Sequence, residues 1–222
     1  MASHELLSSI KKNFLKSTTV VEIGSSREMD RTEKSSTRYF YELSTELNFK
    51  FYSVDFAEES YRLAKEIAGN CAVHSDGAAF LKTLPAVTKI SVLYLDNFDV
   101  IYSDEHKIDL FQRVSEAYDL AGEEINNERS AEVHFEQMLA ALPIMAKKSV
   151  VICDDTLLKG GIWWGKCASV VPYLENLGWT IHKKGKVGCM LVSPGLKKSL
   201  NYRMTFSRKG FSKRVKKAMG RL

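Results

Sequence analysis

Short apolar runs alternate along the chain with longer segments whose apolar residues recur at helical spacing. The runs cover residues 19–23, 49–55, 71–75, 90–96 and 149–153. The first of them, ending at Ile23, is apolar on both faces, the pattern of a strand covered from both sides. Helical spacing falls between the runs. Residues 4–15 place Leu6, Leu7, Ile10, Phe14 and Leu15 on one face, and a helix capped by Ser36 or Thr37 runs to Leu47 with Phe40 and Leu43 inward. Residues 57–68 form the next helix, closed by Gly69-Asn70, and another runs from Gly77 to Leu84. Residues 131–145 follow, with Phe135, Met138, Leu139 and Leu142 inward, and then residues 166–177. Residues 179–183 and 187–193 form a closing hairpin around Lys184-Gly185-Lys186. This alternation predicts an α/β protein with a parallel sheet and a ligand site at the carboxyl ends of its strands.

Two stretches depart from the alternation. Residues 97–130 are charged and partly helical, with Tyr102, Phe111 and Tyr118, and read as an insertion that covers the site. Gly160-Gly161-Ile162-Trp163-Trp164-Gly165 reads as a mobile aromatic loop, an apolar wall beside the ligand.

With 222 residues and 45% hydrophobic composition the chain can bury one full core. No apolar run reaches the roughly 18 residues of a membrane span, and the first residues lack the pattern of a signal peptide. Cys71, Cys153, Cys167 and Cys189 are scattered, without a CxxC pair; Cys71, Cys153 and Cys189 fall in expected strands. Buried free thiols fit this usage, and a cytoplasmic location is expected. Charge is unevenly spread. No acid follows Glu175, while thirteen of the 32 Lys and Arg do, so an acidic body carries a basic tail at residues 196–222. Phe206, Phe211, Val215, Met219 and Leu222 lie near helical spacing among those cations. Such a tail suits an anionic surface or a partner, and equally a solvated end or a helix packed on its own domain. A homo-oligomer is left open.

The chemistry gathers at the strand ends. Four runs finish in carboxylates: Asp55, Asp76, Asp96 and the pair Asp154-Asp155. A single acid there often only caps a helix, but four in register line one rim of the sheet. Val20-Val21-Glu22-Ile23-Gly24 ends the first run in an acid-x-Gly step, and Asp55 lies about one βα unit beyond, where an acid meets ribose hydroxyls. Gly24-Ser25-Ser26-Arg27-Glu28-Met29 lacks the later glycines of a pyrophosphate cradle. The expected ligand is a nucleoside without a pyrophosphate.

Over residues 20–193 this combination resembles the class I S-adenosylmethionine-dependent methyltransferases. The resemblance implies a Rossmann-like, mostly parallel seven-stranded sheet with helices on both faces and an antiparallel closing strand, filling residues 1–195. It implies that Glu22, Gly24, Ser25 and Ser26 line the methionine end of S-adenosylmethionine, with Ser26 standing where the family has its second glycine. Asp55 would bind the ribose, Asp76 and Gly77 the adenine, and Asp96 would touch the cofactor from the fourth strand. Within that superfamily Asp96, Asp154 and Asp155 resemble the metal triad of the cation-dependent O-methyltransferases of the macrocin and catechol types. Three converging carboxylates would suit a hard cation such as Mg²⁺, which could orient an acceptor hydroxyl. His134 is the candidate base, since related enzymes carry a His in the helix before strand five. The catechol type has a Lys where this chain has Asp99. The activity implied is methyl transfer from S-adenosylmethionine to a hydroxyl of a small molecule, a sugar or a phenol. A metal-independent methyltransferase acting on nitrogen or RNA, and a silent nucleoside-binding module, are the competing readings.

Overall fold

The computed structural model of the protein describes Leu6, residues 18–27 and residues 35–198. Most of the expected N-terminal helix, the middle of the loop after Gly24 and the end of the basic tail lie outside the described residues. Five parallel strands come first: β1 (Thr19–Ile23), β2 (Lys50–Asp55), β3 (Ala72–His74), β4 (Ile90–Leu95) and β5 (Met145–Asp154). A separate hairpin, β6 (Thr156–Lys159) and β7 (Ile162–Gly165), follows β5. Next come β8 (Thr180–Lys184) and β9 (Gly188–Val192), and the seven-stranded sheet has the order β3-β2-β1-β4-β5-β9-β8. β9 runs antiparallel to both its neighbours. The expected mostly parallel, Rossmann-like sheet is therefore present.

Period two along each strand sorts the core into two layers. Val21, Ile23, Leu93, Leu95, Val151 and Leu191 face one side, where they meet α3 (Gly77–Thr83), α5 (Asn127–Ala141) and α6 (Val170–Asn176). Val20, Val92, Tyr94, Val150, Ile152 and Met190 face the other, against α1 (Ser36–Leu47) and α2 (Glu58–Ala68). Leu6 is fully buried in this second layer. Helices on both faces explain why the strands read as near-continuous apolar runs.

The inserted segment forms α4 (Asp104–Ala121) and the start of α5. Ser103 caps α4 by accepting a bond from His106 N, and Gly122 ends it in the left-handed conformation. The segment has a small core of its own, in which Phe98 stacks on Phe56 at 4.8 Å and Tyr118 packs edge-on against both rings.

Several expectations are corrected. Ser35, not Ser36 or Thr37, caps α1, through a bond from Arg38 N. Asn126 caps α5 through a bond from Arg129 N, so the helix starts before residue 131, and a one-turn 3-10 segment at Leu142–Ile144 ends it before Met145. Its inner face is Val133, His134, Gln137, Met138 and Ala141, while Leu139 points outward at 42% exposure. Residues 160–165 are the turn and second strand of the β6–β7 hairpin rather than a loop. Cys71 ends a 3-10 turn rather than lying in a strand; all four cysteines are free, and Cys153, Cys167 and Cys189 are buried. No described helix is long and apolar enough to cross a membrane.

Candidate functional site

The strand order reverses between β1 and β4, and the carboxyl ends of these strands open the crevice characteristic of such sheets. Gly24 N donates to Val54 O at 2.9 Å and Asp96 N donates to Ile23 O at 2.8 Å, so the crevice floor is tied to both neighbours of β1. Gly24 has φ +95°, and a Cβ there would lie 2.3 Å from the Asp96 carbonyl carbon and the Asn97 nitrogen. The expected glycine is thus required by the close approach of the β4 end.

Glu22 is fully buried beneath this floor. Its Oε2 accepts bonds from Thr37 Oγ1 (2.8 Å) and Ser53 Oγ (2.6 Å). Its buried Oε1 has no donor in hydrogen-bond geometry, although the Ser36 hydroxyl is near enough to stabilise the charge. Burial pushes the carboxyl up to about 7, against the lowering influence of Ser36, Ser53 and Thr37. Ser25 Oγ lies 2.9 Å from Ser53 Oγ, and Ser26 is held to the start of α1 by Thr37 Oγ1 and Ser35 Oγ. Asp55 is buried and accepts from Ser25 N (2.7 Å) and Ala57 N (2.9 Å), one bond on each oxygen. Burial raises its pKa, while Arg27 and these two N–H groups work the other way. Each oxygen keeps a lone pair for a hydroxyl.

Asp76 stands apart in character. It is exposed, and its Oδ1 caps α3 through Ala79 N at 2.7 Å. Gly77 is buried because a Cβ would meet Ile23 Cγ2 at 2.5 Å, so it lets α3 begin directly against β1. Beside the β2 end, a cavity of about 390 Å³ opens between Phe56 and the Leu110, Val114 and Tyr118 face of α4, with Arg27 and Asp99 in its wall. Asp99 accepts bonds from Arg27 Nη1 (2.6 Å) and Tyr118 Oη (3.1 Å). Burial alone would raise its pKa, but Arg27 and Lys166 outweigh that and hold it low.

The three acids expected to hold a metal do come together, and a lysine bridges two of them. Lys166 Nζ donates to Asp96 Oδ1 (2.7 Å) and the Asp96 carbonyl (3.1 Å), and lies 3.1 Å from Asp155 Oδ2. Tyr94 Oη donates to Asp154 Oδ2 (2.6 Å) and lies 2.9 Å from Asp96 Oδ2. Tyr102 Oη, from the insertion, donates to Asp155 Oδ1 at 2.7 Å, and Asp155 N donates to Asp154 Oδ1 at 2.9 Å. Burial and the neighbouring Asp96 and Asp155 push Asp154 up to about 7. Asp155 is lowered because Lys166 and Tyr102 overcome the effect of burial. Among the described residues no group of three His, Cys, Asp or Glu side chains is arranged to hold a metal ion. The expected triad therefore does not fit a divalent cation as its side chains stand, because Lys166 already bridges Asp96 and Asp155.

His134 is fully buried, not on the surface. Its Nδ1 lies 2.6 Å from the Ser130 carbonyl, and Nε2 has no partner in hydrogen-bond geometry. Burial first, then the Lys166 charge, lowers its pKa to about 3. A ring so reluctant to take a proton is a poor base near neutral pH.

Sequence reasoning missed Lys166, Tyr94, Tyr102 and Arg27. Tyr94 had a signal, since it lies two residues before Asp96 and so shares its strand face. Lys166 had only the weak one of a cation bordered by Gly165 downstream of the strand-five acids. No family model and no curated protein sequence matches the chain.

Proposed function

We propose that the protein transfers a methyl group from S-adenosylmethionine to a hydroxyl of a small-molecule acceptor. The observation that carries this reading is the crevice where the strand order reverses, with Glu22 beneath it and Asp55 at the end of β2 offering a free lone pair on each oxygen. Asp55 would hold the ribose, and the neighbouring cavity beside Phe56 is of nucleoside size. Bound there, S-adenosylmethionine supplies an electrophilic methyl group.

The acceptor would lie at the acid cluster, walled by Tyr102 and Trp164, whose rings sit 5.4 Å apart. Its hydroxyl oxygen forms the new C–O bond as the sulfonium S–C bond breaks, and its proton passes to a carboxylate. Asp154 suits that role better than His134, because burial and the neighbouring Asp96 and Asp155 raise its affinity for a proton whereas burial and Lys166 lower that of His134. No step needs a metal ion.

The test is turnover of sugars and phenols with labelled S-adenosylmethionine, on wild type, Asp55→Ala and Asp154→Asn. Asp55→Ala is expected to raise the cofactor KM with little change in kcat. Asp154→Asn is expected to lower kcat by about 10²–10⁴ while leaving cofactor affinity intact. Equal activity in all three proteins would overturn these assignments.

A further inference from the structure

We propose that Lys166 is the resident cation of the acidic site and makes a divalent metal dispensable there. As a statement about mechanism the inference rests on the methyltransferase reading, but the occupancy of the site is testable without it. Five of the six carboxylate oxygens of Asp96, Asp154 and Asp155 already have a protein donor. Lys166 serves Asp96 Oδ1 and Asp155 Oδ2, Tyr94 serves Asp154 Oδ2, Tyr102 serves Asp155 Oδ1, and Asp155 N serves Asp154 Oδ1, while Asp96 Oδ2 lies 2.9 Å from the Tyr94 oxygen whose proton is already given to Asp154. The ammonium has three protons and three acceptors, counting the Asp96 carbonyl. Its side chain is 4% exposed, against 27% for Asp96 and 31% for Asp155, so it sits behind the carboxylates and leaves their outer edges open. A buried ammonium is costly unless paired, and the β4–β5 pairing that sets Leu95 beside Cys153 holds the acids where they pair it.

The chain is built to deliver it. β6 and β7 pair Thr156 with Gly165, which returns the backbone to the end of β5. Gly165, at φ +99°, lies so close that a Cβ would be 1.9 Å from the Asp155 carbonyl oxygen, and Lys166 N donates to that same oxygen at 3.2 Å. The hairpin thus closes a cation into the acid cluster.

Two consequences follow. A Mg²⁺ bridging Asp96 Oδ1 and Asp155 Oδ2 would have to displace Lys166 and replace its bonds while keeping near-octahedral oxygen coordination. The acceptor is then recognised by donating hydrogen bonds to the exposed carboxylate edges, so a single hydroxyl suffices and a chelating pair of adjacent hydroxyls confers no advantage.

The experiment is electron paramagnetic resonance of free Mn²⁺ titrated into chelator-treated full-length protein, as wild type, Asp96→Asn, Lys166→Gln, Lys166→Arg and the double variant Lys166→Gln/Asp96→Asn. Wild type and Lys166→Arg are expected to leave the free-ion signal unchanged. Folded Lys166→Gln, checked by circular dichroism, is expected to remove one equivalent of signal, and the double variant to lose that gain. Stoichiometric Mn²⁺ uptake by wild type that Asp96→Asn abolishes would overturn the inference, and so would a folded Lys166→Gln that binds none. The wild-type arm decides the matter even where Lys166→Gln fails to fold. Binding of S-adenosylhomocysteine in EDTA is measured alongside. Its absence would count against the methyltransferase reading and leave the Mn²⁺ result standing.

Discussion

Glu22 shows what the site costs at the level of one residue. Its carboxyl is fully buried and titrates at about 7, above the 4.5 of a free side chain. Between these values the folded protein keeps a proton that the unfolded chain releases, so this group's contribution to stability falls as pH rises from 4.5 to about 7. Glu22→Gln keeps an acceptor for Thr37 and Ser53 and removes the titration. It is expected to gain about 1–3 kcal/mol relative to wild type on going from acidic to mildly alkaline pH, in urea unfolding at both. A stability difference that is the same at both pH values would contradict the assignment. Glu22, Asp55 and Asp96 were legible in the sequence because an acid closing an apolar run has a fixed place at a strand end. Arg27 and Thr37 were not, because their partners Asp99 and Glu22 are brought near only by the folded loops.

At the level of elements, the strands were legible where apolar runs were continuous, whereas the side-chain caps of α1 and α5, Ser35 and Asn126, lie before the starts expected for those helices. Two elements were misread for physical reasons. In α5 the inner face carries His134 and Gln137, and Gln137 Nε2 donates to Asn97 Oδ1 at 2.9 Å, so a buried polar pair interrupts the apolar period. Leu139 then gave a false phase. In the β6–β7 hairpin the adjacent glycines suggested a loop, yet Gly160 and Gly161 both have positive φ, as a two-residue hairpin turn requires. The hairpin's close return at Gly165 is its most demanding feature. Gly165→Ala is expected to destabilise the protein by about 2–3 kcal/mol, through a steric clash and a strained φ, measured by urea unfolding. A wild-type midpoint would mean that Lys166 reaches the acids without that close approach.

For the whole molecule, the sheet order brings the ends of β1, β2, β4 and β5 to one rim, and the helical insertion and the hairpin approach it with Tyr102 and Lys166. The rim was readable from five acids; its internal cation was not, because a lysine eleven residues beyond Asp155 gains meaning only when a hairpin folds it back. That single ammonium changes the expected chemistry from a metal-organised site to one held by protein charges.

The most direct measurement is calorimetric titration of S-adenosylhomocysteine into the full-length protein in EDTA, with Asp55→Ala as the control. Wild type is expected to bind it saturably, one to one, without added metal, and Asp55→Ala to show a marked loss of affinity. A folded wild-type protein that takes up no nucleoside, with or without metal, would contradict the central claim.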